Sequence, residues 1–229
     1  MGCFRATPPT PRGWRLPPIR NWLSPMLAVV LASGGWWLAA EGDAAAEDGD
    51  RAVGICCAWG SRLRDGELTY SITSDDPTAM SILRSAVQAW DEALPELTLS
   101  EAKRKPDITL AYGPGLADGG ESPTASGARG LTTTYLNSRR LVTRVEIGVD
   151  GGPSPVNAGA VEQITKHELG HALGLAHANW DGDLMSPLVH PMPAPIPACD
   201  ISAVRDANSW KMVHNGRRPK PATAAWTPC

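Results

Sequence analysis

The chain has 229 residues, 42% of them hydrophobic and 20% charged, which supplies one domain with a proper core and excludes wholesale disorder. Its 21 Lys and Arg against 24 Asp and Glu give a formal charge of −3, but residues 1–40 hold four arginines (Arg5, Arg12, Arg15, Arg20) and no acid. The remainder therefore carries 17 basic against 24 acidic groups, a mildly acidic body with no broad basic field to attract a nucleic acid.

After Arg20 an uncharged stretch runs from Asn21 to Ala40, most apolar around Met26–Leu31, and gives way to Glu41-Gly42-Asp43. A basic head, a short apolar run and small residues before a polar start describe an export signal over residues 1–40. Ala39-Ala40 and Ala44-Ala45-Ala46 both offer cleavage positions. The alternative is a retained anchor over residues 22–40, nearly long enough to span a bilayer but weakened by Pro25, Ser33 and Gly34-Gly35. Either form places the body outside the cytoplasm, secreted or held at a membrane. The Met1-Gly2-Cys3 start does not fit acylation, because Ala6 stands where that pattern needs Ser or Thr.

Residues 41–61 read as an acidic linker and leading segment, 62–215 as the main domain and 216–229 as a basic, Pro-rich tail. Leu68–Ile72 alternates as a strand should. Ser74-Asp75-Asp76-Pro77 is helix-start chemistry, and Met80, Leu83, Val87, Trp90 and Leu94 follow at helical spacing up to Pro95. Asp107–Tyr112, Gly130–Leu136 and Leu141–Val149 are three further predicted strands, with a Gly- and Ser-rich loop over 115–127 and a break at 151–155. A helix is expected from about Val156 to Gly174. The run from Pro191 to Pro197 is extended, and Asp200 is expected to cap a last helix carrying Ile201, Val204, Trp210 and Val213. Beyond Cys3 there are four cysteines, Cys56, Cys57, Cys199 and Cys229, which predict two disulfides. A bond between the adjacent Cys56 and Cys57 would be strained, so each is expected to join Cys199 or Cys229.

The chemistry concentrates in His167-Glu168-Leu169-Gly170-His171-Ala172-Leu173-Gly174-Leu175-Ala176-His177. On a helix, His167 and His171 point the same way and can share one metal ion, with Glu168 about 100° around the helix. Gly174 can end the helix sharply and let His177 return as a third nitrogen. Three neutral imidazoles leave the fourth position of one zinc ion open to water, the mark of a catalytic rather than a structural site. Glu168 is then the residue to take a proton from that water and pass it to a leaving amine. Three of the five histidines in the chain fall in this one segment, which argues against ordinary helix-surface histidines.

This extended HExxHxxGxxH pattern resembles that of the metzincin zinc endopeptidases, and the chain is most similar to their matrixin branch. Met185, in Gly182-Asp183-Leu184-Met185-Ser186-Pro187, stands eight residues after His177 and resembles the family's methionine turn. The resemblance gives Met185 the part of a hydrophobic floor under the metal. Leu68-Thr69-Tyr70, Ala86–Trp90, Pro106–Leu110 and Asp200-Ile201 extend the similarity over about residues 66–214. There are departures: Ser186 stands where matrixins carry Tyr, and Ala178 where they carry Ser. No histidine precedes His167 to hold the family's second, structural zinc, and no cysteine-switch motif precedes the body. Calcium stays open, since Asp118 and Asp150 read equally well as solvated loop acids.

The resemblance implies an α+β fold: a twisted mixed sheet of four to five strands, two long helices and a small C-terminal subdomain with a third helix. It implies a zinc endopeptidase acting on protein or peptide substrates, with an extended peptide lying along an edge strand, either Leu131–Leu136 or Val142–Val149. Pro187, Leu188 and Val189 would line an apolar pocket beyond the scissile bond. A monomer is expected, with membrane contact only through the anchor. The alternative is a zinc-stabilised peptide-binding module without turnover, or one confined to a single partner.

Overall fold

The computed structural model describes residues 51–64, 66–118, 129–151, 157–190, 192–212 and 225–229. The export segment, the linker to residue 50, most of the 115–127 loop, the 152–156 break, Val213 and residues 216–224 lie outside the described residues. In chain order the elements are β1 (Ala52–Ile55), β2 (Ala58–Trp59), β3 (Glu67–Thr73), α1 (Pro77–Ala93), β4 (Thr98–Glu101) and β5 (Ile108–Tyr112). These are followed by β6 (Arg129–Leu136), β7 (Leu141–Asp150), α2 (Ala158–Ala172), β8 (Leu175–Ala178), α3 (Ala198–Met212) and β9 (Ala225–Pro228).

Asp76 starts α1 as its sequence demands. Its side chain accepts from the Thr78 and Ala79 amides, two of the donors a helix start leaves without intrahelical partners, and Pro77 occupies a first-turn position where no N–H is missed. The helix buries Ala79, Leu83, Ala86, Val87 and Trp90, one face at helical spacing. Trp90 Nε1 donates to the Lys166 carbonyl at 2.9 Å, which ties α1 to α2 within the core.

The main sheet has six strands, against the four to five expected. Parallel strands run β4, β3, β5, β7, with β2 pairing in parallel to the start of β7 and β6 antiparallel on the other side of β7. Along β7, Val145, Ile147 and Val149 are buried and alternate with more accessible residues, so one face of the sheet looks into the core. Of the two candidate segments, Leu131–Leu136 lies in β6 at one edge of the sheet, whereas β7 is flanked on both sides. The α+β class and the three helices are as the resemblance implied.

A second sheet orders β8, β1 and β9, all antiparallel. Strands at 52–59, assigned from sequence to a leading segment, thus pair with β8 and β7 of the main domain, and the strand at 225–228, assigned to a tail, pairs with β1. The cysteine pairing expected from sequence is corrected: Cys56 is bonded to Cys57 and Cys199 to Cys229. The reason is placement. The Cys56 and Cys57 amides both donate to the Gly174 carbonyl at the end of α2, whereas Cys229 sits beside β1, its amide donating to Arg51 O at 2.9 Å.

Asp200 also departs from expectation. The last helix begins at Ala198, so Asp200 lies inside its first turn rather than at its cap, fully buried. Neither of its carboxylate oxygens meets a donor among the described residues. Burial, with the charge of neighbouring Asp183 next, pushes its carboxyl up to about 9, so Asp200 is a neutral acid near pH 7. Buried Asn208 on the same helix accepts from Trp59 N at 3.0 Å and donates to Leu173 O at 2.6 Å, joining α3 to β2 and to the end of α2. Among the described residues no helix is long and apolar enough to cross a membrane.

Candidate metal centre

Asn157 opens α2 by accepting from the Ala160 amide, and the helix then runs into the interior, burying His167 and Glu168. Leu173 caps it, and Gly174 follows at φ +105°, a backbone angle that a side chain disfavours. A Cβ on Gly174 would also overlap the Cys57 carbonyl. The chain reverses there into β8, which carries His177 back toward the helix.

The result is convergence. Nitrogens of His167, His171 and His177 all lie within 4.8 Å of one another. The ring centroids of His167 are 4.6 Å from His171 and 5.4 Å from His177, and those of His171 and His177 are 4.9 Å apart.

The proton positions follow from the partners. His167 Nδ1 donates to Leu184 O at 2.6 Å and His171 Nδ1 to Leu175 O at 3.0 Å. A carbonyl can only accept, so both Nδ1 atoms carry the hydrogen and both Nε2 atoms present lone pairs. Those two Nε2 atoms are 3.0 Å apart. Two lone pairs at that distance repel unless a cation lies between them. Protonation of His167 is disfavoured, because burial, with His171 next, holds its pKa well below the usual range. The donor set therefore fits a metal cation, and three neutral imidazoles whose remaining N–H groups are oriented by carbonyls are the ligand chemistry zinc accepts.

Leu184, whose carbonyl orients His167, belongs to the turn that carries Met185. Ala178 N donates to Met185 O at 2.8 Å, locking that turn to β8. Met185 is fully buried and its sulfur lies against Gly170, where a methyl would collide with it. Asp183 holds the turn from within, its Oδ1 accepting from Met185 N at 2.9 Å.

Glu168 is buried on the opposite flank, against β6. Thr132 Oγ1 is 2.6 Å from Glu168 Oε2, and Gly130 lies under the same carboxylate. Neither Thr132 nor Gly130 announces itself in sequence, since a threonine in Thr132-Thr133-Thr134 looks like any strand residue.

Beside the methionine turn opens a cavity of about 310 Å³ lined by Gln163, Asp183, Leu184, His190, Met192 and Pro193 among others. Pro187, Leu188 and Val189 do not line it: the first two are exposed and Val189 is in the core. Gln163 Oε1 accepts from Ala194 N, and Lys166 Nζ donates to Ala194 O, so α2 itself anchors the proline-rich segment bordering the cavity. Asp150 accepts from the Gly115 amide at 2.8 Å, and Asp118 lies 3.9 Å from Arg129.

A mixed sheet with a histidine-bearing helix, a glycine reversal and a methionine turn defines a metallopeptidase-like domain. The matrixin family model matches residues 58–207, and the chain belongs to the matrixin family. Matrix metalloproteinase-16 of Homo sapiens is 28% identical over 145 residues, covering 56% of this chain and 24% of the relative. The same protein from Rattus norvegicus and from Mus musculus gives the same identity and coverage. The chain thus spans about a quarter of the length of the curated relatives it matches.

Proposed function

We propose that this chain is an extracytoplasmic zinc-dependent endopeptidase, with His167, His171 and His177 holding one zinc ion and Glu168 acting as general base. The observation that carries the reading is the pair of Nε2 lone pairs 3.0 Å apart, beside a third imidazole and a buried carboxylate. Bound there, zinc would supply Lewis acidity, polarising a scissile carbonyl and bringing a water's pKa toward neutrality. Glu168 takes the proton from the attacking water on a carboxylate oxygen and returns it to the departing amine nitrogen. The β6 edge pairs with an extended peptide through its main chain and orients the bond to be cut. Glu168 is itself buried, so its charge is less screened than that of a surface carboxylate.

The peptidase domain is read as residues 62–215, the export signal or anchor as 1–40. The extracytoplasmic reading rests on the segregation of arginines and apolar residues in that leader and on the two cysteine pairs, which persist in an oxidising compartment.

The test is Glu168→Gln in the purified chain, assayed on casein with metal analysis alongside. Near-complete loss of cleavage with zinc retained at one ion per chain is the expected result. Full cleavage by the variant, or no stoichiometric zinc in the parent, overturns the reading.

A further inference from the structure

We propose that Thr132 is a positioning residue for Glu168, its hydroxyl reaching from the edge strand to fix the stance of the catalytic carboxylate. The proposal rests on the reading of Glu168 as general base.

Thr132 Oγ1 lies 2.6 Å from Glu168 Oε2 and 3.1 Å from the Glu168 carbonyl oxygen. A hydroxyl has one proton to give. The shorter contact has the length of a charge-assisted O–H···O⁻ bond, so the proton is directed to the carboxylate. Gly130 is two residues earlier and so on the same face of β6. A Cβ there would overlap Glu168 Oε1 and Cγ. One strand face thus presents a hydroxyl under one carboxylate oxygen and bare backbone under the other.

This seat is rigid because β6 is rigid. Thr132 pairs with Ile147 and Gly130 with Val149, both buried residues of the core-facing strand β7. A glutamate side chain has three rotatable bonds, and holding it in one stance costs entropy that a packed, hydrogen-bonded seat offsets in advance. Because the same strand is the proposed docking edge, base and substrate share one frame of reference. The competing possibility is that the hydroxyl only ties strand to helix through the Glu168 carbonyl.

Thr132→Val and Thr132→Ser in the purified, zinc-loaded full chain separate the two. Thr132→Val keeps the shape and removes the hydroxyl; kcat on a fluorogenic peptide is expected to fall roughly 10- to 100-fold, with KM and zinc content unchanged. Thr132→Ser restores kcat to near the parent value. A second readout needs no turnover: in metal-free protein, the infrared carboxylate band isolated by subtracting Glu168→Gln shifts in Thr132→Val and not in Thr132→Ser. If Thr132→Val does not fold, Gly130→Ala, which displaces the carboxylate from its seat, is expected to give the same loss of kcat. Parent-like kcat in Thr132→Val, equal losses in Val and Ser variants, or a change confined to KM overturns the proposal. Glu168→Gln inactive with Thr132→Val fully active defeats only this inference. Glu168→Gln fully active defeats the base reading, and the infrared band then reports alone on whether Thr132 holds the carboxylate.

Discussion

The sulfur of Met185 rests on Gly170, the residue immediately before His171, with no space for a side chain between them. The contact joins the turn that orients His167 to the helix that carries both of the first two histidines. Replacing Gly170 by Ala sets two effects against each other. Helix propensity favours alanine by about 1 kcal/mol, whereas forcing a methyl against buried Met185 costs about 1–3 kcal/mol. Packing wins. Gly170→Ala is expected to lower the unfolding free energy and to weaken zinc retention, both measurable by denaturant titration and metal analysis of the dialysed protein. A more stable variant with parent-like zinc retention would show that the turn moves aside without cost.

Metal removal follows from the lone-pair geometry. A ligand that binds only the folded state stabilises it by about 4 kcal/mol when present at a thousand times its dissociation constant. Chelation should therefore abolish cleavage and lower the melting temperature, and zinc should restore both. His177→Ala should already show the lower melting point and should respond little to chelator. A chelator-insensitive melting point in the parent chain would count against a site of useful affinity.

Asp200 makes stability depend on pH in a stated direction. Its folded pKa is raised to about 9 by burial first and by Asp183 second, so between about 4 and 9 the folded chain holds a proton that the unfolded chain has released. Stability from this group is full below the unfolded pKa and is lost as pH climbs through the folded one. The slope approaches about 1.4 kcal/mol per pH unit within that window. Melting curves of metal-free protein from pH 5 to 9 should fall with pH, and Asp200→Asn, neutral throughout, should flatten them. Parallel curves for the two proteins would refute the assignment.

The Cys199–Cys229 bond closes a separation of 30 residues and anchors β9 beside β1. Removing it as the double Cys→Ser variant frees the unfolded chain, with a loss of about 3–4 kcal/mol on loop-entropy grounds. Hydrogen exchange should then rise first in β9 and β1, where Thr227 Oγ1 also loses its fixed approach to Asp206. Unchanged protection there would mean the strand pairing is self-sufficient.

What could be read along the chain was what depends on neighbours in sequence. Asp76-Pro77 with the Leu83, Val87 and Trp90 stripe specified α1, alternation specified β3, runs bounded by glycine and turn residues placed β5, β6 and β7, and the spacing of His167, His171 and His177 around Gly174 specified a convergent trio. The short strands β1, β2, β8 and β9 carry two to four residues each and exist through partners more than 40 residues away, so no local pattern marks them. The cysteine pairing failed for a related reason: backbone pairing of β1 with β8 and β9 decides which sulfurs meet. Asp200 misled because an acid ahead of an apolar stripe looks like a cap, while its actual surroundings come from Asp183 on another segment. Thr132 was invisible because its meaning lies in the helix it faces.

His177 is carried by β8, whose neighbour in the three-stranded sheet is β1, and β1 is in turn bordered by residues 225–228. Order of synthesis therefore matters. A nascent chain emerging from the ribosome can coil its two-histidine helix long before the strand that braces the third histidine has all its flanking partners. In a chain that folds as it is translated, the bracing of β1 on its second side is complete only once residues 225–228 have docked.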